Sequence, residues 1–215
     1  MHLSGIHTSL LMRTGVPIMV FEKHVGRHDA VVLDVGSGSG YFLQKLKERG
    51  YTNLAGIDCY HYPGNKFPIV YRDISYQPLP WADASLDAIS AWEVVEHLEN
   101  PYFFMREAYR ALKPGGFFFL SMPNASSWES RWIFFKTGDL RRWNQKNDHI
   151  TILTNAIFKK TFLELFSLVE RQYCVTRFGK HGLAGRIRKK LRFLDRLIPN
   201  NEWFGSFVLY VLIKS

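Results

Sequence analysis

Residues Val31–Phe42 read VVLDVGSGSGYF, and this stretch decides the fold. Val31, Val32, Leu33 and Val35 form a short apolar, β-branched run, the pattern of a strand buried on both faces. The run stops at Gly36-Ser37-Gly38-Ser39-Gly40, where bulky side chains would resist both a sharp turn and the close approach of a ligand. Tyr41–Glu48 then reads as a helix. Its N-terminus opens out of the glycine turn and offers unpaired N–H groups and a positive dipole end to a polar ligand.

Two nucleotide readings compete for this turn. A dinucleotide fingerprint requires G-x-G-x-x-G, and the sixth position here is Tyr41. The pattern present is D-x-G-x-G-x-G, with Asp34 two residues before Gly36. A carboxylate there suits a cationic amino-acid moiety better than a pyrophosphate, which it would repel. A glycine turn with no ligand is the plain alternative. In this form the stretch resembles the first motif of the class I S-adenosylmethionine-dependent methyltransferases. The resemblance implies that Asp34, Gly36, Ser37, Gly38 and Gly40 meet that cofactor.

Working outward, Asn53–Ile57 reads as a second strand ending at Asp58, close to the offset of about 20 residues at which an acidic side chain meets ribose hydroxyls. A solvated turn aspartate is the competing reading for Asp58, and Cys59 shares its position. Phe67–Tyr71 reads as a third strand followed by Asp73 and Ile74. By the resemblance, Asp73 would accept from the adenine amino group and the Ile74 backbone would meet the ring. Gln77–Trp81 (QPLPW) is similar to a rigid loop of these enzymes, with Trp81 in place of phenylalanine. Ser85–Ala91 is the fourth strand, and Trp92–Pro101 (WEVVEHLENP) matches the E-V-x-E-H-x-x-x-P segment of a small-molecule, ubiquinone-biosynthesis-like subgroup (methyltransferase types 11 and 23). That match implies Trp92 and Glu93 at the cofactor. Glu96 and His97 are expected to start the next helix, with His97 either reaching the substrate or serving structurally.

Tyr102–Leu112 reads as a helix stopped by Lys113-Pro114-Gly115-Gly116, ahead of a fifth strand at Phe117–Leu120 that ends in Ser121-Met122-Pro123-Asn124. Residues 125–150 depart from the framework as an acceptor-side insertion in which Trp128, Trp132 and Trp143 mix with Arg131 and other basic residues. Aromatics beside cations suit a planar or sugar ring bearing negative charge. They also suit single-stranded nucleic acid, against which stands the absence of an N/D-P-P-Y/F/W tetrapeptide. By resemblance, His149 matches a histidine before the next helix, and its ordinary pKa suits a general base. A structural histidine is the alternative.

Asn155–Leu168 reads as an amphipathic helix, Leu168–Val175 as the sixth strand and Ser206–Ile213 as a last, buried strand. The insertion at 177–203 is basic. Arg177–Arg196 carries eight Lys/Arg against the single acid Asp195, with Leu183, Ile187, Leu191, Leu194 and Ile198 as one helical stripe. Such a helix lies on an anionic membrane, clamps an acidic substrate or packs on its own domain. The resemblance implies an α/β, Rossmann-like, doubly wound sheet of seven strands, mostly parallel with the last antiparallel and helices on both faces. Residues 1–30 are expected to add one or two short helices at its edge.

Composition sets the outer bounds. The 215 residues are 47% apolar and 22% charged, ordinary for one globular domain. The net charge of +9 admits a nucleic acid, a membrane surface or an acidic substrate as partner. Cys59 and Cys174 are far apart, which supports neither a disulfide framework nor a metal site and suits a reducing cytoplasm. No run approaches the roughly 20 apolar residues of a membrane span. The expectation is a cytoplasmic enzyme that transfers a methyl group from S-adenosylmethionine, without a metal, to the oxygen of a small molecule, anionic or lipid-linked. The 183–198 helix is its candidate membrane contact. A non-catalytic S-adenosylmethionine-binding module and a nucleic-acid methyltransferase stand as alternatives.

Overall fold

In a computed structural model, which describes residues 11–145, 147–175 and 199–215, the run around Asp34 lies inside a sheet. β1 (Val31–Val35) pairs in parallel with β2 (Asn53–Asp58) on one side and β4 (Leu86–Trp92) on the other. β3 (Ile69–Tyr71) continues beyond β2, and β5 (Leu112–Pro123) beyond β4, both parallel. β7 (Phe207–Lys214) runs antiparallel between β5 and β6 (Phe166–Cys174). The seven strands follow the order β3-β2-β1-β4-β5-β7-β6, which is the Rossmann-like sheet expected, with the last strand reversed.

Period-two alternation sends the central strands' side chains to two cores. Val32, Ala88, Phe119 and Leu209 bury with Ile18 and Phe21 of α1 (Val16–His24) and Phe42 and Leu46 of α2 (Tyr41–Glu48). On the opposite face Leu33, Ile89, Phe118 and Leu120 bury with Phe104 and Ala108 of α3 (Pro101–Ala111) and Phe158 and Phe162 of α5 (Asn155–Leu165). Each fully buried Leu or Phe contributes roughly 1.5–3 kcal/mol of transfer free energy. The sheet centre is therefore rigid, and the loops at its carboxyl edge are free to carry chemistry.

Several boundaries differ from expectation. Glu96 and His97 do not start a long helix; they sit in one 3₁₀ turn, Val95–His97. The proline at 101 keeps Asn100 out of the helical region (φ −128°, ψ 72°), and Asn100 instead caps α3 by accepting from Phe103 N–H at 3.0 Å. Lys113–Gly116 does not separate helix from strand. β5 begins at Leu112 opposite Leu86, and these four residues bulge before Phe117 pairs with Ala88. Gly115 turns there at φ +76°, and Pro114 needs no ladder bond inside a bulge. α5 ends at Leu165 because Phe166 already packs on Phe118 as the first residue of β6. The 125–150 segment holds a helix its pattern did not announce, α4 (Trp128–Thr137), capped by Ser127, which accepts from Ser130 N–H. Ahead of α1 a 3₁₀ turn covers Met12–Thr14. The basic helix expected over Arg177–Arg196, with its stripe to Ile198, lies outside the described residues. Among the described residues no helix is long and apolar enough to cross a membrane.

Candidate active site

The glycine turn is pinned at both ends. Gly36 N–H donates to Ile57 O (2.8 Å), Gly40 N–H to Ser37 O (2.8 Å) and Gly38 N–H to Asp58 Oδ2 (2.8 Å). Each glycine has its own reason. A side chain at Gly36 would strike Val94 at 2.5 Å, and one at Gly40 would strike Asn65 at 2.8 Å. At Gly38, with φ +52°, no atom of the described residues lies within 4 Å of the missing Cβ. Gly38 therefore borders open space rather than packed protein, as a ligand cradle would.

Two carboxylates face this turn. Asp34 is 3% exposed in β1, and Ser90 of β4 donates its hydroxyl to Asp34 Oδ1 at 2.7 Å. Burial, with a further contribution from Asp58 and against the Ser90 hydrogen bond, pushes Asp34 up to about 7. Asp58, at the end of β2, accepts from Gly38 N–H and, through Oδ1, from Tyr60 N–H at 2.9 Å. Asp58 is thus an anchor of the glycine turn whatever else it binds. Among the described residues, Ser37 Oγ and Trp92 Nε1 are buried with no hydrogen-bond partner, a state that costs each group its hydration. Two crowded acids and two orphaned polar atoms around an open glycine fit a ligand that is both cationic and rich in hydrogen-bonding groups.

The other positions that the resemblance assigns to the cofactor are Trp92, Glu93, Cys59, Asp73 and Ile74. Trp92 ends β4 with its ring edge-on to Phe42 (5.4 Å). Glu93 follows at φ +55°, a left-handed conformation rare outside glycine, with its N–H donated to Ser121. Burial and the Asp58 charge push the Cys59 thiol up to about 11, so it stays protonated at neutral pH. Asp73 is exposed after β3 and accepts from Ser75 N–H (2.9 Å), while the Ile74 side chain is buried in the core.

A second constellation joins residues far apart in sequence. The rings of His97 and His149 meet edge to face at 4.7 Å, and His97 Nδ1 lies 3.2 Å from Asp148 Oδ1. Glu96 is 2% exposed and, among the described residues, both its carboxylate oxygens lack hydrogen-bond partners. Burial raises its carboxyl well above the usual carboxylate range, with Glu93 adding to the rise and Arg142 opposing it. His149 Nδ1 is likewise buried without a partner among the described residues, and burial, aided by His97, lowers the imidazole to about 4. His149 is therefore neutral at pH 7 with a free acceptor nitrogen, and not the base of ordinary pKa expected. Among the described residues, Glu96, His97 and His149 form the group whose ligand atoms, all within 4.8 Å of one another, could hold a metal ion.

The tryptophans divide. Trp143 packs against His149 at 5.8 Å and donates Nε1–H to Thr151 O, beside this constellation. Trp128 and Trp132 instead point to solvent from α4, and Arg131 stacks over Trp203 at 4.5 Å. Three participants escaped the reading of the sequence. Ser90, the partner of Asp34, was visible only as a polar residue inside a buried strand. Glu96 was visible as an acid in an apolar turn, Val94-Val95-Glu96. Arg142, which influences Glu93, Glu96 and His149, carried no distinguishing signal among its basic neighbours.

Comparison with known proteins agrees with this architecture. The family described as "Methyltransferase domain" matches residues 17–165. Ubiquinone biosynthesis O-methyltransferases of Rhizobium etli (strain CIAT 652) and Sinorhizobium medicae (strain WSM419) are 26% and 27% identical over 126 residues, covering 55% of this chain and 51% of each relative. The chain thus spans about half the length of these curated relatives. Among solved structures, a SAM-dependent methyltransferase from Archaeoglobus fulgidus superposes with TM-score 0.65 at 19% identity, covering 96% of this chain and 95% of that one. The [4+2]-cyclase SpnF superposes at 0.61 with 15% identity, covering 93% and 80%. At such identities these superpositions speak for the fold alone. With the family match extending from α1 through α5 and the sheet order agreeing, the chain belongs to the class I S-adenosylmethionine-dependent methyltransferase family.

Proposed function

We propose that the chain transfers a methyl group from S-adenosylmethionine to an oxygen of a small-molecule acceptor. The observation that carries the cofactor half is Gly38, open to solvent space beside Asp34 and Asp58. Gly36, Ser37, Gly38 and Gly40 would cradle the cofactor, with Asp34 toward its cationic amino-acid end and Asp58 toward the ribose. Asp73 and Ile74 would flank the adenine, and Cys59, Trp92 and Glu93 would line the space between. When bound, S-adenosylmethionine supplies a methyl already activated on a positively charged sulfur. The protein's own task is then placement and proton removal.

The acceptor half rests on the His97–His149–Glu96 constellation. Neutral His149, with Nδ1 unpartnered among the described residues, would take the proton of an acceptor hydroxyl held against Trp143, and the charge of Asp148, which favours the protonated imidazole, would offset the developing imidazolium. Oxygen as the acceptor atom is supported by the O-methyltransferase names of the relatives. A second reading is favoured by the two unpartnered oxygens of Glu96. There, Glu96, His97 and His149 would ligate a divalent cation that lowers the acceptor's pKa.

The test is transfer of labelled methyl from the cofactor into fractions of a cell extract, with and without a chelator. Label in small molecules supports the proposal. Label confined to RNA or DNA, or tight cofactor binding with no transfer, would replace it with the nucleic-acid or regulatory alternative. Activity lost on chelation and restored by a divalent cation would select the second reading for the acceptor half.

A further inference from the structure

α4 is built against the usual rule for a surface helix. Of its ten residues only Ser130 is buried, while Trp132 is 52% and Phe135 82% exposed. Trp128, Trp132 and Phe135 recur at helical spacing on one face, with Trp132 and Phe135 stacked at 6.2 Å. Trp203 and Phe204, also exposed, extend the apolar surface from the far side of the chain, joined to α4 by the Trp128 N–H bond to Trp203 O (2.9 Å). Leaving so much aromatic surface in water marks a binding face. Cations frame it. Lys136 Nζ lies 4.7 Å above the Trp132 ring and Arg131 stacks on Trp203, while the acid Glu129 is neutralised by Arg141.

We propose that this face docks on an anionic phospholipid bilayer, with α4 lying in the interfacial plane. Tryptophan and phenylalanine beside Lys and Arg are the composition that partitions into the headgroup–acyl boundary, and the cations complement acidic headgroups. A helix of about 15 Å is too short to span and long enough to lie flat. A second copy of the chain fits less well. A two-fold contact through this face would gather Arg131 and Lys136 of both copies into one interface, while its acid Glu129 is already paired with Arg141. The 183–198 segment plays no part in the argument, and the docking holds whether or not the reading of the active site does.

The test is co-sedimentation of the full chain with vesicles of phosphatidylglycerol and phosphatidylcholine in equal parts, against phosphatidylcholine alone. The wild type should bind the anionic vesicles, with a blue shift of tryptophan emission. Trp132→Ser with Phe135→Ser should lower that affinity about tenfold or more without lowering the Tm, since neither side chain is buried. Lys136→Gln should weaken it less, and mainly at low salt. Three outcomes would overturn the proposal: no binding by the wild type, equal binding by the aromatic variant, or a wild-type dimer in sedimentation that the aromatic variant abolishes.

Discussion

Replacing Asp34 by Asn should stabilise the ligand-free protein at neutral pH and weaken cofactor binding in the same step. Burial moves this carboxyl from 3.8 to about 7, so between those values the folded chain keeps a proton that the unfolded chain has released. Stability then falls as pH rises through that window, and the full loss is present above it. At 1.36 kcal/mol per tenfold change in proton affinity, the move from 3.8 to about 7 corresponds to roughly 4 kcal/mol as an upper bound. Asn is nearly isosteric, and its amide oxygen keeps the hydroxyl bond from Ser90, so the substitution removes charge and little else. Urea unfolding should find variant and wild type alike near pH 4 and the variant more stable near pH 8 by about 1–4 kcal/mol. Saturating S-adenosylhomocysteine should narrow or reverse that gap, because the wild type gains more from binding the ligand's ammonium group. An advantage of equal size at both pH values would refute the idea that a buried charge at Asp34 is held in reserve for a cation.

Two further substitutions probe the remaining halves of the site. Gly38→Val places a branched side chain at φ +52°, at a cost of about 1–2 kcal/mol, yet into space that no atom of the described residues fills. Circular dichroism should show a folded protein and calorimetry no measurable S-adenosylhomocysteine binding; unchanged affinity would remove the turn from the cofactor site. His149→Ala should lower kcat for the acceptor while leaving S-adenosylhomocysteine affinity within about twofold. Because the His149 imidazole sits at about 4, its proton-accepting form is complete above roughly pH 5, so the wild-type rate should show no rise near pH 6.5 that His149→Ala removes.

Legibility followed the range of the forces involved. β1, the glycine turn and α2 could be read because the apolar run and glycines act within a dozen neighbouring residues, and the sheet followed from repetition of that unit. The meeting of His97 with His149 could be anticipated only as two separate candidates, since their contact depends on a chain return that brings Ile150 N–H to Glu96 O at 2.9 Å. The start of β5 at Leu112 was hidden because Pro114 and Gly115 look like a terminator locally, whereas Leu86 supplies a pairing partner from a distant strand. α4 was hidden for the opposite reason. A helix whose apolar side chains face water has no buried stripe to betray its period.

The unpartnered groups then bear on why the two halves of the site lie where they do. Ser37 follows the carboxyl end of β1, Trp92 closes β4, Glu96 sits one turn later, and His149 is folded back onto that turn. At this edge the parallel strands stop together, so their last side chains and the turns beyond them lie at one end of the sheet. At the opposite edge a carboxylate is treated differently. Asp87 accepts there from Val31 N–H at 2.8 Å and pairs with Lys113 at 2.8 Å, and its carboxyl lies below the usual range. The same sheet thus pairs its acids at one end and leaves Asp34 and Glu96 raised at the other. Packing alone would favour pairing at both ends, because an unpaired buried carboxyl weakens the fold. The proposed site, whose missing partners would arrive with the ligands, accounts for that asymmetry.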